Sequence, residues 1–134
     1  MRGKYSREHS WTFDGGLTVP ASSSPSVVRP PYSNPANVDP EEAFVAAISS
    51  CHMLTFLYVA AKAGFEVGSY VDEAVGTMSS NANGVPWVSR VALSPKIVYL
   101  GAKTPSALEE ARLHEQAHHD CFISNSVKSE IVIA

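Results

Sequence analysis

"DPEEAFVAAISSCHMLTFLYVAAKAG", residues 39–64, is the stretch that decides the fold. Asp39 is placed to act as an N-cap, Pro40 falls at the first helical position, and Glu42 follows Asp39 by three residues, as a capping box requires. Glu41 and Glu42 put negative charge in the first turn, where the helix dipole favours it. Gly64 supplies the stop, so the segment reads as one helix running to about Ala63. Some 24 helical residues rising about 1.5 Å each span roughly 36 Å. That is more than one small domain needs, and it points to a helix shared with a partner chain.

Inside this helix, residues 43–61 carry no Asp, Glu, Lys or Arg and are about long enough to cross a bilayer. Ser49, Ser50, His52 and Thr55 near the middle, and a strand-rich remainder with nothing else shaped for lipid, argue against that. The expectation is a helix buried on most sides in a water-soluble protein.

Working outward, 134 residues with 45% hydrophobic content suit a single domain over 1–134. A net charge of −3 and a pI near 5.9 leave no basic excess for nucleic acid or a membrane surface, so the expected partner is a small molecule or a protein. Two cysteines cannot build a disulfide framework, and "MRGKYSREHSWTF" lacks the apolar core of a signal peptide, which makes the cytoplasm the expected compartment.

Before the helix, residues 4–13 read as a strand, "DGG" as a turn and "LTV" as the start of its partner. Six of the nine prolines then fall between Pro20 and Pro40, which marks a long irregular loop of the kind that carries function or covers a site. After the helix, residues 67–79 and 86–100 read as two long strands joined through the Asn83-Gly84 turn. Trp87, Val91, Leu93, Ile97 and Tyr99 share one face of the second, with Arg90, Ser94 and Lys96 on the other; Pro95 marks an edge or a bulge. A second helix starts with Thr104 as N-cap and Pro105 next, and "SVKSEIVIA" ends the chain as a strand. This order predicts an α+β domain with a mostly antiparallel sheet.

The chemistry rests on Cys51 and Cys121. The helical neighbours of Cys51 are Ala47, Ile48, Leu54 and Thr55, an apolar setting that by itself raises a thiol's pKa and leaves it inert. Cys51 lies some twelve residues into the helix, beyond the reach of its N-terminal dipole. His52 points about 100° away and is better placed to hydrogen-bond nearby than to pair with Cys51. His118 and His119 precede Cys121, yet no spacing among these groups matches a zinc site. From spacing alone, a redox pair and two unrelated structural cysteines stay equally open.

"DPEEAFVAAISSC" (39–51) and "AHHDCFISNSV" (117–127) resemble the two signatures of the OsmC-like and organic hydroperoxide resistance (Ohr) family. In that family Asn-Pro-Glu-Glu or Asn-Pro-Glu-Gln opens a long helix carrying a cysteine ten residues after the first glutamate, and a second cysteine follows Ala-His-x-x. Glu41 and Cys51 have that interval, Cys121 has the second position, and Phe122 stands where the family has proline. The resemblance implies an OsmC-like fold in an intertwined homodimer. It also implies a thiol peroxidase in which Cys51 attacks the peroxide, Cys121 resolves the sulfenic acid, and an external dithiol such as a lipoylated protein restores the enzyme. No cofactor or metal is implied. An arginine held by Glu41 would steady the thiolate; Arg29 in the loop and Arg7 in the first strand are the candidates, with Arg29 preferred for its place. Ten helical residues span about 15 Å, so Glu41 would act on the partner subunit's site. Phe44, Phe56, Tyr58 and Trp87 are candidate walls for an apolar peroxide tail. The reading from a different class is a non-catalytic ligand-binding or stress-accessory dimer on the same fold.

Overall fold

A computed structural model describes residues 3–134. The chain forms two compact units, one ending at Phe44 and the other running Val45–Ala134. In the first, strands β1 (His9–Thr12) and β2 (Thr18–Ala21) form an antiparallel hairpin. The proline-rich loop returns along it: Ala21 bridges Val38, Ser22 N donates to Val38 O at 2.9 Å and Val38 N to Pro20 O at 3.1 Å. Ser22 is buried, and its hydroxyl accepts from Asn34 N at 3.0 Å.

Helix α1 (Pro40–Lys62) begins as the sequence requires. Glu42 N donates to Asp39 Oδ1 at 2.8 Å and Asp39 N to Glu42 Oε1 at 3.1 Å, which closes the capping box. Gly64 ends it with φ +88, a left-handed conformation that costs a residue with a Cβ more.

The second unit carries β3 (Glu66–Asp72), β4 (Val75–Ser80), β5 (Pro86–Leu93), β6 (Pro95–Leu100), α2 (Ala107–Asp120), a 3₁₀ turn (Ser124–Ser126) and β7 (Glu130–Ile133). Strand β3 pairs antiparallel with β6, β4 pairs antiparallel with β5, and β7 runs parallel to β5. The two long strands expected over 67–79 and 86–100 are therefore each broken in two. Asp72 makes the corner: its Oδ1 accepts from Ser94 N at 2.6 Å and its Oδ2 from the Ser49 hydroxyl at 2.5 Å. Pro95, which cannot continue a ladder as a donor, begins β6 immediately after.

Helix α2 starts two residues later than Thr104 would have it. Ser106 is the N-cap, accepting from Glu109 N at 3.1 Å while Glu109 Oε1 accepts from Ser106 N at 3.0 Å. Pro105 suits a first helical position, but Thr104 has Ala107 three residues on, which cannot return a bond; Ser106 has Glu109.

The core of the second unit joins Phe56 and Ala60 of α1, Phe65 just before β3, and Ala117 of α2, with Tyr70 and Tyr99 of the β3–β6 pair packed against them. Burying a side chain such as Phe56 contributes about 1.5–3 kcal/mol. Gly76 lets α1 approach β4, since a Cβ there would stand 2.7 Å from Val45 Cγ2. Helix α1 is long and apolar enough to cross a membrane by length and composition, yet it buries only one stripe: Ile48, His52, Phe56 and Ala60. The expectation of burial on most sides fails within a single chain, where Leu54 stays 62% and Tyr58 64% exposed.

Candidate active site

Both cysteines are free thiols. Cys51 is half-buried in the middle of α1, and Cys121, fully buried, takes the C-cap position of α2. Seventy residues apart in sequence, by subtraction of 51 from 121, the two thiols lie within hydrogen-bonding reach of each other. The register that brings them together is that of α1 against α2, whose facing stripes both belong to the core.

Their surroundings push the two thiols in opposite directions. Burial raises Cys51, but the Cys121 thiol, the backbone N–H groups of Ile123 and Phe122 and the Thr55 hydroxyl together outweigh it, so the thiol sits below its ordinary value. The Thr55 hydroxyl stands 2.8 Å from Cys51 O, to which it donates when its hydrogen is not turned to the sulfur. Cys121 is held above its ordinary value by burial and by the neighbouring Cys51, although Ser124 N, 3.4 Å from its sulfur, works the other way. Every group that favours the Cys51 thiolate comes from the second unit itself. Three successive backbone N–H groups, of Phe122, Ile123 and Ser124, serve the two sulfurs. Side-chain spacing carries no signal for such backbone donors.

The remaining candidates are placed as follows. Glu41 is half-buried in the first turn of α1 and has no side-chain hydrogen bond or ion pair among the described residues. Arg7 is used locally: its guanidinium donates to Gly3 O at 2.9 Å and to Tyr5 O, and lies 3.6 Å over the Tyr5 ring. Arg29 is exposed in the loop. Neither arginine forms an ion pair with Glu41, so this chain alone does not bring that pair together. Among the candidate walls, Phe56 is fully buried in the core and lines no opening, while Tyr58 is exposed, and Trp87 is half-buried with Lys128 Nζ 5.3 Å above its ring. Phe122, next to Cys121, is 83% exposed, an aromatic at the site that the wall candidates missed.

His52 turns into the core and meets His114 of α2, Nε2 to Nδ1 at 2.9 Å. His119 lies at the surface with Asp120, Nδ1 to Oδ1 at 2.9 Å. Among the described residues, no group of three or more His, Cys, Asp or Glu side chains is arranged to hold a metal ion.

The family model for OsmC-like protein matches residues 33–134, and so takes in both cysteine motifs. Among solved structures, an OsmC-like protein of unknown function from Vibrio cholerae is 50% identical, superposes with a TM-score of 0.96, and the match covers 99% of this chain and 86% of that one. An organic hydroperoxide resistance protein from Elizabethkingia anophelis, with thiocyanate bound, has a TM-score of 0.74 at 22% identity over 95% of this chain and 85% of that one. One from Legionella pneumophila has a TM-score of 0.74 at 16% identity over 95% and 86%. At those identities the last two share the fold. No curated protein matches the chain.

Proposed function

Since the chain belongs to the family of OsmC-like proteins, we propose that it is a thiol-dependent peroxidase of the cytoplasm that reduces organic hydroperoxides, with Cys51 as the attacking and Cys121 as the resolving thiol. The observation that carries this reading is the contact between two free thiols whose environments drive their acidities apart. A nucleophile needs the thiolate at neutral pH, which Cys51 is helped to reach; a resolving thiol must stay protonated until its partner is oxidised, which the setting of Cys121 favours. Two structural relatives are organic hydroperoxide resistance proteins, which supports the substrate class.

The steps balance as follows. The Cys51 thiolate attacks the terminal oxygen of R–O–O–H; the S–O bond forms, the O–O bond breaks, and the alkoxide leaves and takes up a proton as the alcohol. Cys121 then attacks the Cys51 sulfur, its proton leaves with the hydroxyl as water, and a disulfide forms. An external dithiol, possession of a lipoylated protein in this proposal, returns two electrons and two protons and becomes a disulfide itself.

The working unit we propose is a homodimer. The exposed stripe of Ala47, Leu54 and Tyr58 on α1, together with Val75 and Met78 on the fully exposed β4, is apolar surface that a second copy would cover. In that assembly Glu41 of one subunit would hold an arginine, Arg29 by preference, toward the Cys51 of the other.

Reduced protein treated with one equivalent of cumene hydroperoxide is expected to lose two hydrogens in intact mass within seconds. Cys51→Ser blocks the change, and Cys121→Ser leaves a sulfenic acid that lingers. A mass untouched by both cumene hydroperoxide and hydrogen peroxide would overturn the peroxidase reading in favour of a non-catalytic ligand-binding dimer. Faster reaction with hydrogen peroxide than with the organic peroxide would overturn the substrate class.

A further inference from the structure

Two imidazoles are placed where the core would accept leucines. His52 on α1 is fully buried and His114 on α2 is nearly so. Their ring planes are 11° apart with centroids 5.2 Å from each other, and His52 Nε2 lies 2.9 Å from His114 Nδ1, so the rings meet edge to edge. Phe56, one turn further along α1, stacks on His114 at 4.3 Å, so the His114 ring is engaged by two successive turns of the helix that carries Cys51. Glu110 Oε1 stands 3.9 Å from His114 Nε2, and its charge favours the tautomer protonated there, in which His114 Nδ1 accepts and His52 Nε2 donates. Glu110 is itself fixed by the Tyr99 hydroxyl, which donates to its Oε2 at 2.9 Å.

Location makes the couple more than a filler. His52 is the residue after Cys51, and His114 lies on the same face of α2 as Cys121, two turns earlier. Both helices therefore carry one thiol and one imidazole on a shared seam. We propose that His52 and His114 are a positioning pair for the dithiol: their near-coplanar, hydrogen-bonded contact pins α1 to α2 in the register that keeps the Cys51 and Cys121 sulfurs in reach of each other. Apolar packing is non-directional, whereas an in-plane N–H···N bond between two rings fixes both separation and rotation. Disulfide geometry allows a narrow range of Cβ separations, about 3.5–4.5 Å, so a small slide of one helix matters. The groups facing the couple are Glu110 and His118 of α2 and Asp72 at the end of β3. None supplies a second bond to His52, whose Nδ1 is buried without a partner among the described residues. The contact with His114 is thus the one side-chain hydrogen bond of His52 among the described residues.

The proposal rests on the reading of Cys51 and Cys121 as a reactive pair, and its test avoids peroxide so that the two can fail separately. The full-length protein is equilibrated with oxidised and reduced glutathione at pH 7: the protein dithiol gives two hydrogens to oxidised glutathione, forming the protein disulfide and two reduced glutathiones, read by intact mass. His114→Leu is expected to lower the equilibrium constant about tenfold or more. His114→Asn, whose side-chain amide reaches the position of Nδ1, is expected to recover it to within about threefold. The double variant His52→Leu/His114→Leu guards against simple misfolding, because two leucines pack well. It is expected to melt no lower than the parent and still hold the low constant. A double variant with the parent's constant, or His114→Asn as low as His114→Leu, overturns the positioning role.

Discussion

The two faces of helix α1 have nearly the same amino-acid character and opposite fates. One face, Ile48, His52, Phe56 and Ala60, is closed by α2 and the β3–β6 pair, and is tied by a hydrogen bond as well as packed. The other, Ala47, Leu54, Tyr58 and Ala61, is left open in a single chain. Cys51 lies on the boundary, half-buried, with the polar seam on one side and the open apolar face on the other. A helix that looks uniformly greasy thus divides into a half that holds the fold and a half left uncovered in the single chain, which we propose a second copy covers. Substitutions that treat the two faces alike should have very unlike effects.

The largest contrast is between neighbouring aromatics. Phe56→Ala empties a site against Tyr70 at 5.8 Å and His114 at 4.3 Å, and should cost about 3–5 kcal/mol in chemical denaturation. Tyr58→Ala, on the open face, should change the stability of a dissociated chain by no more than about 0.5 kcal/mol. Equal losses would show that the open face is closed in the folded chain itself.

Acid separates the faces next. Burial, then the neighbouring His114, pulls His52 from 6.5 down to about 4, and burial also lowers His114. The unfolded chain takes up these protons first, so stability is lost as pH falls through the window from 6.5 to about 4 and levels off below it. At about 1.4 kcal/mol per pH unit, His52 accounts for at most roughly 3 kcal/mol of that loss. In the double leucine variant this acid limb should flatten, measured as denaturation midpoints across the window. An unchanged limb would mean that other groups set the acid sensitivity.

The open face yields a smaller effect, in association rather than folding. Tyr58→Asp would place a charge on the surface we propose a second copy covers, and should weaken self-association at least about tenfold, or roughly 1.4 kcal/mol, in sedimentation or light scattering. Leu54→Ala should act in the same direction and less. A Tyr58→Asp protein that associates as the parent does would move the dimer contact elsewhere.

What could be read from the sequence follows the same division. Signals local to a few residues were legible: the Asp39–Glu42 capping box, the Gly64 stop, the Asn83-Gly84 turn and the alternation that makes Val91 and Leu93 the buried residues of β5 and Ile97 and Tyr99 half-buried ones of β6. Features made by distant residues were not. The strand corner depends on Asp72 capturing Ser94 N and the Ser49 hydroxyl, and His52 finds its partner 62 residues away. The start of α2 was misplaced because proline at Pro105 is a stronger local sign than the reciprocal bonds of Ser106 and Glu109. For the site, family resemblance linked Cys51 with Cys121 where spacing could not. The backbone N–H groups that lower Cys51 were illegible because they have no side-chain signature.

The smallest effect concerns those backbone groups, at the boundary where Cys51 lies. Phe122 stands where the family has proline, and its N–H is one of the groups that stabilise the Cys51 thiolate. Proline has no N–H to give. The backbone would accept one: Cys121 is extended, with ψ 119, as a residue before proline prefers, and the Phe122 N–H serves no backbone carbonyl among the described residues. Phe122→Pro should therefore fold normally and raise the Cys51 pKa, while Phe122→Ala, which keeps the N–H, should leave it alone. The pH dependence of Cys51 alkylation, followed by mass, distinguishes them. If both variants titrate like the parent, the N–H is not what holds the thiolate, and the boundary position of Cys51 owes its acidity to the Cys121 thiol and Ile123 instead.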